Sequence, residues 1–174
     1  MSSGNPKTGT SHLPPVEAWD GVVLYEDNHL IILSKRAGEI VQGDKTADWA
    51  IVCVRPPKEE DTLVHWLTRN EKTNKASAYD RETRGSKKAV LNYRLLAASE
   101  RYYLLEVNLL TGRHHQIRCQ LAKIGCPIKG DLKYGAPRSN PDGSISLHAR
   151  RLTLEHPVSH QVIDVEAPAP DDRL

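Results

Sequence analysis

The 174-residue sequence contains nothing close to the 18 or so consecutive apolar residues that a membrane-crossing helix needs. Its first residues, MSSGNPKTGTSHLPP, lack both the basic-then-apolar order of a secretory signal and the Arg-rich amphipathic pattern of a transit peptide. The expectation is a cytoplasmic protein without membrane contact, carrying a flexible tail over residues 1–19. Cysteine is scarce. Cys53, Cys119 and Cys126 are odd in number and spaced without a Cys-x-x-Cys pair, which excludes a disulfide framework and fits thiols in a reducing compartment. Net charge is small as well: 24 Lys and Arg against 22 Asp and Glu leave +2, too little to announce a nucleic-acid partner, so any electrostatic argument has to be local. No internal repeat or low-complexity tract is present.

What is there reads as short strands separated by turns. Val22 to Tyr25 and His29 to Leu33 flank the polar turn Glu26-Asp27-Asn28 and predict a hairpin. WAIVCV, residues 49–54, is an apolar β-branched run stopped by Arg55-Pro56-Pro57, suited to a buried strand. The polar segment 58–88 shows little periodicity beyond LVHWL and predicts an irregular surface excursion. Two long strands follow at 89–97 and 101–110, the second placing Tyr103, Leu105, Val107 and Leu109 on one face. LHARRLTLEHP and QVIDVEAP form a last pair around a turn at 156–160. The count predicts an α+β domain, mainly antiparallel sheet with few helices, as one unit over residues 20–172.

The stretch 111–135, TGRHHQIRCQLAKIGCPIKGDLKYG, concentrates the reactive side chains. Ile117, Leu121 and Ile124 recur at helical spacing, Gly125 caps and Pro127 prevents continuation, so His114 to Ile124 predicts a helix with Arg118 on its outer side. Zinc could recruit His114, His115, Cys119 and Cys126, but adjacent histidines on a helix diverge by about 100°, and small helix cysteines are commonly core filler. A His115–Cys119 nucleophilic pair lacks anything to orient a base. The third reading takes the guanidinium as the functional group, since Arg113, Arg118, Lys123, Lys129 and Lys133 face only Asp131. An arginine early in a helix can hold a carboxylate bidentately or grip a phosphate. The alternative is a basic helix face that is merely solvated.

The same words resemble the RluA-type pseudouridine synthases, whose recurrent signatures are T-G-R-x-H-Q-[IL]-R, G-x-P-I-x-G-D-x-x-Y-G and L-H-A. VLYEDNHLIILSKRAG resembles that family's opening strands, with Ser34 and Arg36 where Asn and Pro are common, so the resemblance covers most of residues 20–172. It implies a pseudouridine-synthase-like fold and isomerisation of uridine to pseudouridine in structured ribosomal or transfer RNA, with no metal or cofactor. The base is flipped into a pocket, and a carboxylate begins cleavage of the ribose C1′ to base N1 bond. By motif position Arg118 corresponds to the arginine that holds the catalytic aspartate, with His115 and Gln116 supporting it. Arg113, Lys129, Lys133 and Arg150 are the expected RNA contacts, and a monomer is the default.

One family feature is missing. The motif H-R-L-D-x-x-[TS]-G, which carries the nucleophile, does not occur, and QGDKTAD runs straight into WAIVCV as though the piece with the aspartate and the active-site tyrosine had been removed between Asp48 and Trp49. Asp44 and Asp48 are the nearest substitutes. Either the chain lacks the piece and is an RNA-binding remnant, or further residues stand at that junction in a whole enzyme. A structural or protein-binding role is the third class.

Overall fold

Period-two patterning dominates the chain and builds one seven-stranded sheet. The computed structural model describes residues 23–26, 31–33 and 45–168. The tail expected over residues 1–19 lies outside them. Strands β1 (Val23–Glu26) and β2 (Ile31–Leu33) pair as the expected hairpin. The large sheet is formed by β3 (Lys45–Val52), β4 (Glu60–Asn70), β5 (Lys75–Tyr79), β6 (Lys87–Ala98), β7 (Tyr103–Leu109), β8 (Leu147–Glu155) and β9 (Val162–Glu166). They lie in the order β5-β4-β6-β7-β3-β8-β9, each neighbouring pair antiparallel. The helix α1 (Gln116–Lys123) and a 3-10 turn at Leu132–Tyr134 complete the described elements. The class is α+β, as the sequence predicts.

The core forms where α1 lies on one face of the sheet. Ile117 and Leu121 pack against Ala50 and Val52 of β3, Leu91 and Tyr93 of β6, and Leu105 and Val107 of β7, with Tyr103 and Leu109 at the margin. The face read from alternation in β7 is therefore the core face. Each fully buried aliphatic side chain here contributes about 1.5–3 kcal/mol relative to exposure. Gly125, at φ 81°, ends α1, and the Cys126 N–H donates to the Leu121 carbonyl to close the cap.

Three expectations need correction. The segment 58–88 contains β4, β5 and the start of β6, not an irregular excursion. Leu63, His65 and Leu67 point inward from β4, but Val64 and Trp66 put large apolar groups on the other face, which hides the alternation. His65 is tolerated inside because its Nδ1 lies 3.0 Å from Nε2 of the fully buried Gln120. The helix begins at Gln116, because His115 adopts a left-handed backbone conformation (φ 51°, ψ 28°). The strand expected at 49–54 begins earlier, at Lys45: Asp48 and Trp49 are consecutive partners of Val107 and Glu106, with a bulge between Ala47 and Asp48 on the β8 side.

The loop after α1 is stitched to the end of β3. Lys129 N–H donates to Ile51 O (2.8 Å), Cys53 N–H to Pro127 O (3.0 Å), and Ser146 N–H to Lys129 O (2.9 Å). Gly130, at φ 86°, lets the chain pass so close to the 140–146 loop that a Cβ would meet Ser144 O at 2.5 Å. Gly125 has a similar φ but open space around the same point. Gly130→Ala is therefore expected to cost clearly more than Gly125→Ala, whose penalty is the conformational 1–2 kcal/mol or so of a left-handed residue. Urea unfolding of the two variants checks the order, and equal losses would contradict it.

Candidate functional site

Thr111 and Gln116 fix the approach from β7 into α1. Val90 N–H donates to Thr111 Oγ1 (2.8 Å), which donates to Gln116 Oε1 (2.9 Å). The same Oε1 accepts from Arg113 N–H (2.9 Å), while Gln116 Nε2 donates to Val90 O (3.0 Å). Gln116 is buried, so this reciprocal set satisfies backbone groups at the helix start that water does not reach.

The left-handed turn at His115 then aims its ring along the helix. Arg118 Nη1 lies 3.0 Å from His115 Nε2, and His115 Nδ1 lies 2.9 Å from the Tyr134 hydroxyl. Arginine can only donate, so Nε2 accepts and Nδ1–H donates to Tyr134, whose oxygen also accepts from Ala76 N–H (2.8 Å) on the edge strand β5. The imidazole is neutral: burial, followed by the Arg118 charge, pushes it down to about 4. Arg118 grips Asp131 bidentately, Nε to Oδ2 at 2.7 Å and Nη2 to Oδ1 at 2.8 Å. Asp131 is 1% exposed, and the guanidinium lies 4.9 Å from the Tyr134 ring centre. T-G-R-x-H-Q-I-R and G-D-x-x-Y-G are thus one closed hydrogen-bonded unit.

Of the two neighbours expected to support Arg118, the structure brings His115 to it at 3.0 Å, whereas the Gln116 amide is engaged by Thr111, Arg113 and Val90 instead. Sequence reasoning left Asp131 and Tyr134 without roles, although both are fixed letters of the G-D-x-x-Y-G signature. Arg118 already holds a carboxylate, and that carboxylate is Asp131. Asp48 is buried on β3, and Asp44 lies outside the described residues. Of the expected RNA contacts, Arg113 is exposed with its Nε on Lys88 O (3.1 Å), and Lys133 donates to Asn74 O (3.2 Å) in the β4–β5 turn. Lys129 and Arg150 are elsewhere. Lys129 Nζ sits 4.7 Å from the Tyr102 ring, whereas Arg150 lies 4.9 Å from that of Trp49 and engages Glu166 and the Ala167 carbonyl.

His114 and His115 do not diverge; their rings stack at 3.9 Å, because both precede the helix and His115 reverses the backbone. Cys119 and Cys126 separate into two apolar clusters. Burial raises the Cys119 thiol to about 11 and raises that of Cys126 as well, so neither supplies thiolate at neutral pH. Among the described residues no group of three or more His, Cys, Asp and Glu could hold a metal ion.

The low value of His115 has a sign in stability. Between an unfolded value near 6.5 and the folded value of about 4, the unfolded chain binds a proton that the native chain does not. The contribution is full above pH 6.5 or so and is lost as the pH falls toward 4. His65 and His114, also lowered by burial first, act in the same direction. His115→Asn, which keeps the left-handed backbone accessible, is expected to make the fall of thermal midpoint between pH 7 and 4.5 shallower; an unchanged slope would count against a neutral, buried His115.

The family described as RNA pseudouridylate synthase matches residues 47–123. The G-D-x-x-Y-G segment, with its tyrosine, lies just beyond that range. The chain is 32% identical over 161 residues to a tRNA pseudouridine synthase C of Salmonella typhi, covering 82% of this chain and 56% of the relative. It is 37% identical over 99 residues to a ribosomal large subunit pseudouridine synthase D of Haemophilus ducreyi, covering 49% and 30%. The chain thus spans between about a third and just over half of these relatives. In fold it is similar to the solved human RNA pseudouridylate synthase domain containing 4, with a TM-score of 0.69, 18% identity and coverage of 89% and 91%. With its signature words folded into a single unit, the family match over residues 47–123 and these sequence relatives, this chain belongs to the RluA-type RNA pseudouridine synthases.

Proposed function

We propose that the chain is an RNA pseudouridine synthase that isomerises uridine in structured ribosomal or transfer RNA, acting in the cytoplasm as a monomer without metal or cofactor. The observation that carries the reading is the closure of the two signature segments around Arg118. Relatives named for transfer RNA and for the large ribosomal subunit support the substrate class.

The reaction breaks the ribose C1′ to N1 bond and rejoins uracil through C5; the C5 hydrogen leaves as a proton and N1 takes one up, so the product is an isomer of the substrate. Asp131 does not begin it: it is 1% exposed, and both its oxygens are engaged by Arg118. Its part is to aim the guanidinium. Arg118 keeps one further N–H on each of Nη1 and Nη2, on the edge away from Asp131, and its side chain is 19% exposed. That edge can hold an anionic group of the reacting complex, as the family's arginine does for its aspartate.

Rejoining at C5 displaces hydrogen, so tritium release from RNA containing 5-tritiated uridine reads the reaction directly. The full chain is expected to release tritium from ribosomal or transfer RNA transcripts, and Arg118→Lys, which keeps the charge but loses the fork, to lower the rate about 100-fold. RNA binding by the unaltered chain with no release would contradict isomerase activity and leave an RNA-binding role.

A further inference from the structure

The exposed cations of the described residues differ in how they are paired. At the end of the sheet where β4 begins and β6 finishes, Lys58 pairs with Asp61 at 3.1 Å and Arg94 with Glu106 at 3.0 Å, and Arg101 alone stands exposed in the β6–β7 turn without an acidic partner among the described residues. On β8, Arg151 engages Asp164. At the opposite end, Arg69, Lys75, Lys87, Lys88, Arg113 and Lys133 are all exposed and, among the described residues, have no acidic partner within ion-pair distance. Residues 69–88 hold seven Lys and Arg against three Asp and Glu, and of those acids Asp80 is taken by Lys123 at 3.2 Å. A chain whose whole net charge is +2 therefore carries a strongly positive region at one place.

Register and side-chain placement make that region continuous. Lys87 and Lys88 lie opposite Leu67 and Trp66, just before Arg69 on β4. Lys75 begins β5 opposite Asn70 and places its Nζ 5.4 Å from the Tyr134 ring. Lys133 ties the 3-10 turn to the β4–β5 turn through Asn74 O, and Arg113 ties the α1 entry to Lys88 O. The field reaches inward: after burial, Arg69 is the next cause holding His114 below its ordinary value. Unpaired exposed cations in one band, around a site whose own carboxylate is buried and neutralised, suit a polyanion with regularly spaced charges.

We infer that this rim, formed by the β4–β5–β6 end of the sheet and the flanks of α1, is the surface that grips the phosphodiester backbone of the RNA and presents it to the Arg118 site. The inference rests on the RNA-acting reading above and adds a location to it. Four of the six residues, Arg69, Lys75, Lys87 and Lys88, lie outside the family signatures. Lys129 and Arg150 are not part of the rim.

The test is fluorescence anisotropy of a labelled RNA stem-loop titrated with the full-length chain at several salt concentrations. Changing Arg69, Lys75, Lys87 and Lys88 together to Gln is expected to make the slope of log affinity against log salt shallower by about 0.7 for each phosphate no longer neutralised, so about 2–3 in all. Lys58→Gln with Arg94→Gln, which removes acid-paired cations at the far end, is expected to leave the slope within about 0.7 of the original. Equal effects of the two sets, no effect of the rim set in a variant with unchanged circular dichroism, or equal affinity for polyglutamate would overturn the inference. Rim-dependent RNA binding without tritium release supports the rim and contradicts the isomerase reading; tritium release with rim-independent binding does the reverse.

Discussion

The bidentate pair between Arg118 and Asp131 is the interaction from which the rest of the site hangs. Burying two charges costs several kcal/mol for each unless geometry and further hydrogen bonds compensate. Here both aspartate oxygens meet the guanidinium fork, and a third guanidinium nitrogen finds His115. The pair also joins distant pieces of chain. Asp131 belongs to a loop stitched to β3, Arg118 to a helix anchored on β6 through Gln116, and Tyr134 extends the unit to the edge strand β5.

That arrangement assigns a chemical state to each member. His115 has to be neutral to accept from Arg118, and its buried position among cations keeps it so. Its left-handed backbone stores strain of order 1–3 kcal/mol, held in place by hydrogen bonds on either side. Tyr134 needs its hydroxyl as an acceptor twice, which accounts for tyrosine over phenylalanine in G-D-x-x-Y-G. Acids neutralise Lys58 and Arg94 at the far end, while Arg69, Lys75, Lys87 and Lys88 beside the site have no acidic partner among the described residues.

Much of this was legible in the sequence. Alternation in residues 103–109 named the core face, the 117-121-124 spacing named the buried side of α1, and Gly125 with Pro127 marked its end. Local rules failed where tertiary context decides. β4 carries large apolar groups on both faces, so its period was masked, and the helix start was displaced by a backbone conformation at His115 that spacing cannot reveal. The partner of Arg118 was hidden for a different reason: Asp131 lies thirteen residues on, across a turn whose path depends on Gly130 and the close pass of Ser144. Charge counting finds the excess in 111–135 but not the equal one in 69–88, because the pairing of that segment as strands of one sheet, which gathers its cations at one end, is not visible in its weak periodicity.

The central claim is that Arg118 and Asp131 act as one unit, and a double-mutant cycle on stability tests it most directly. Arg118→Met and Asp131→Leu are each expected to cost about 3 kcal/mol or more, since each leaves a buried charge without its partner. The double variant should lose less than their sum by about 2 kcal/mol, because both charges are then gone. Additive losses would mean that the two residues stabilise the fold independently, and would contradict the account.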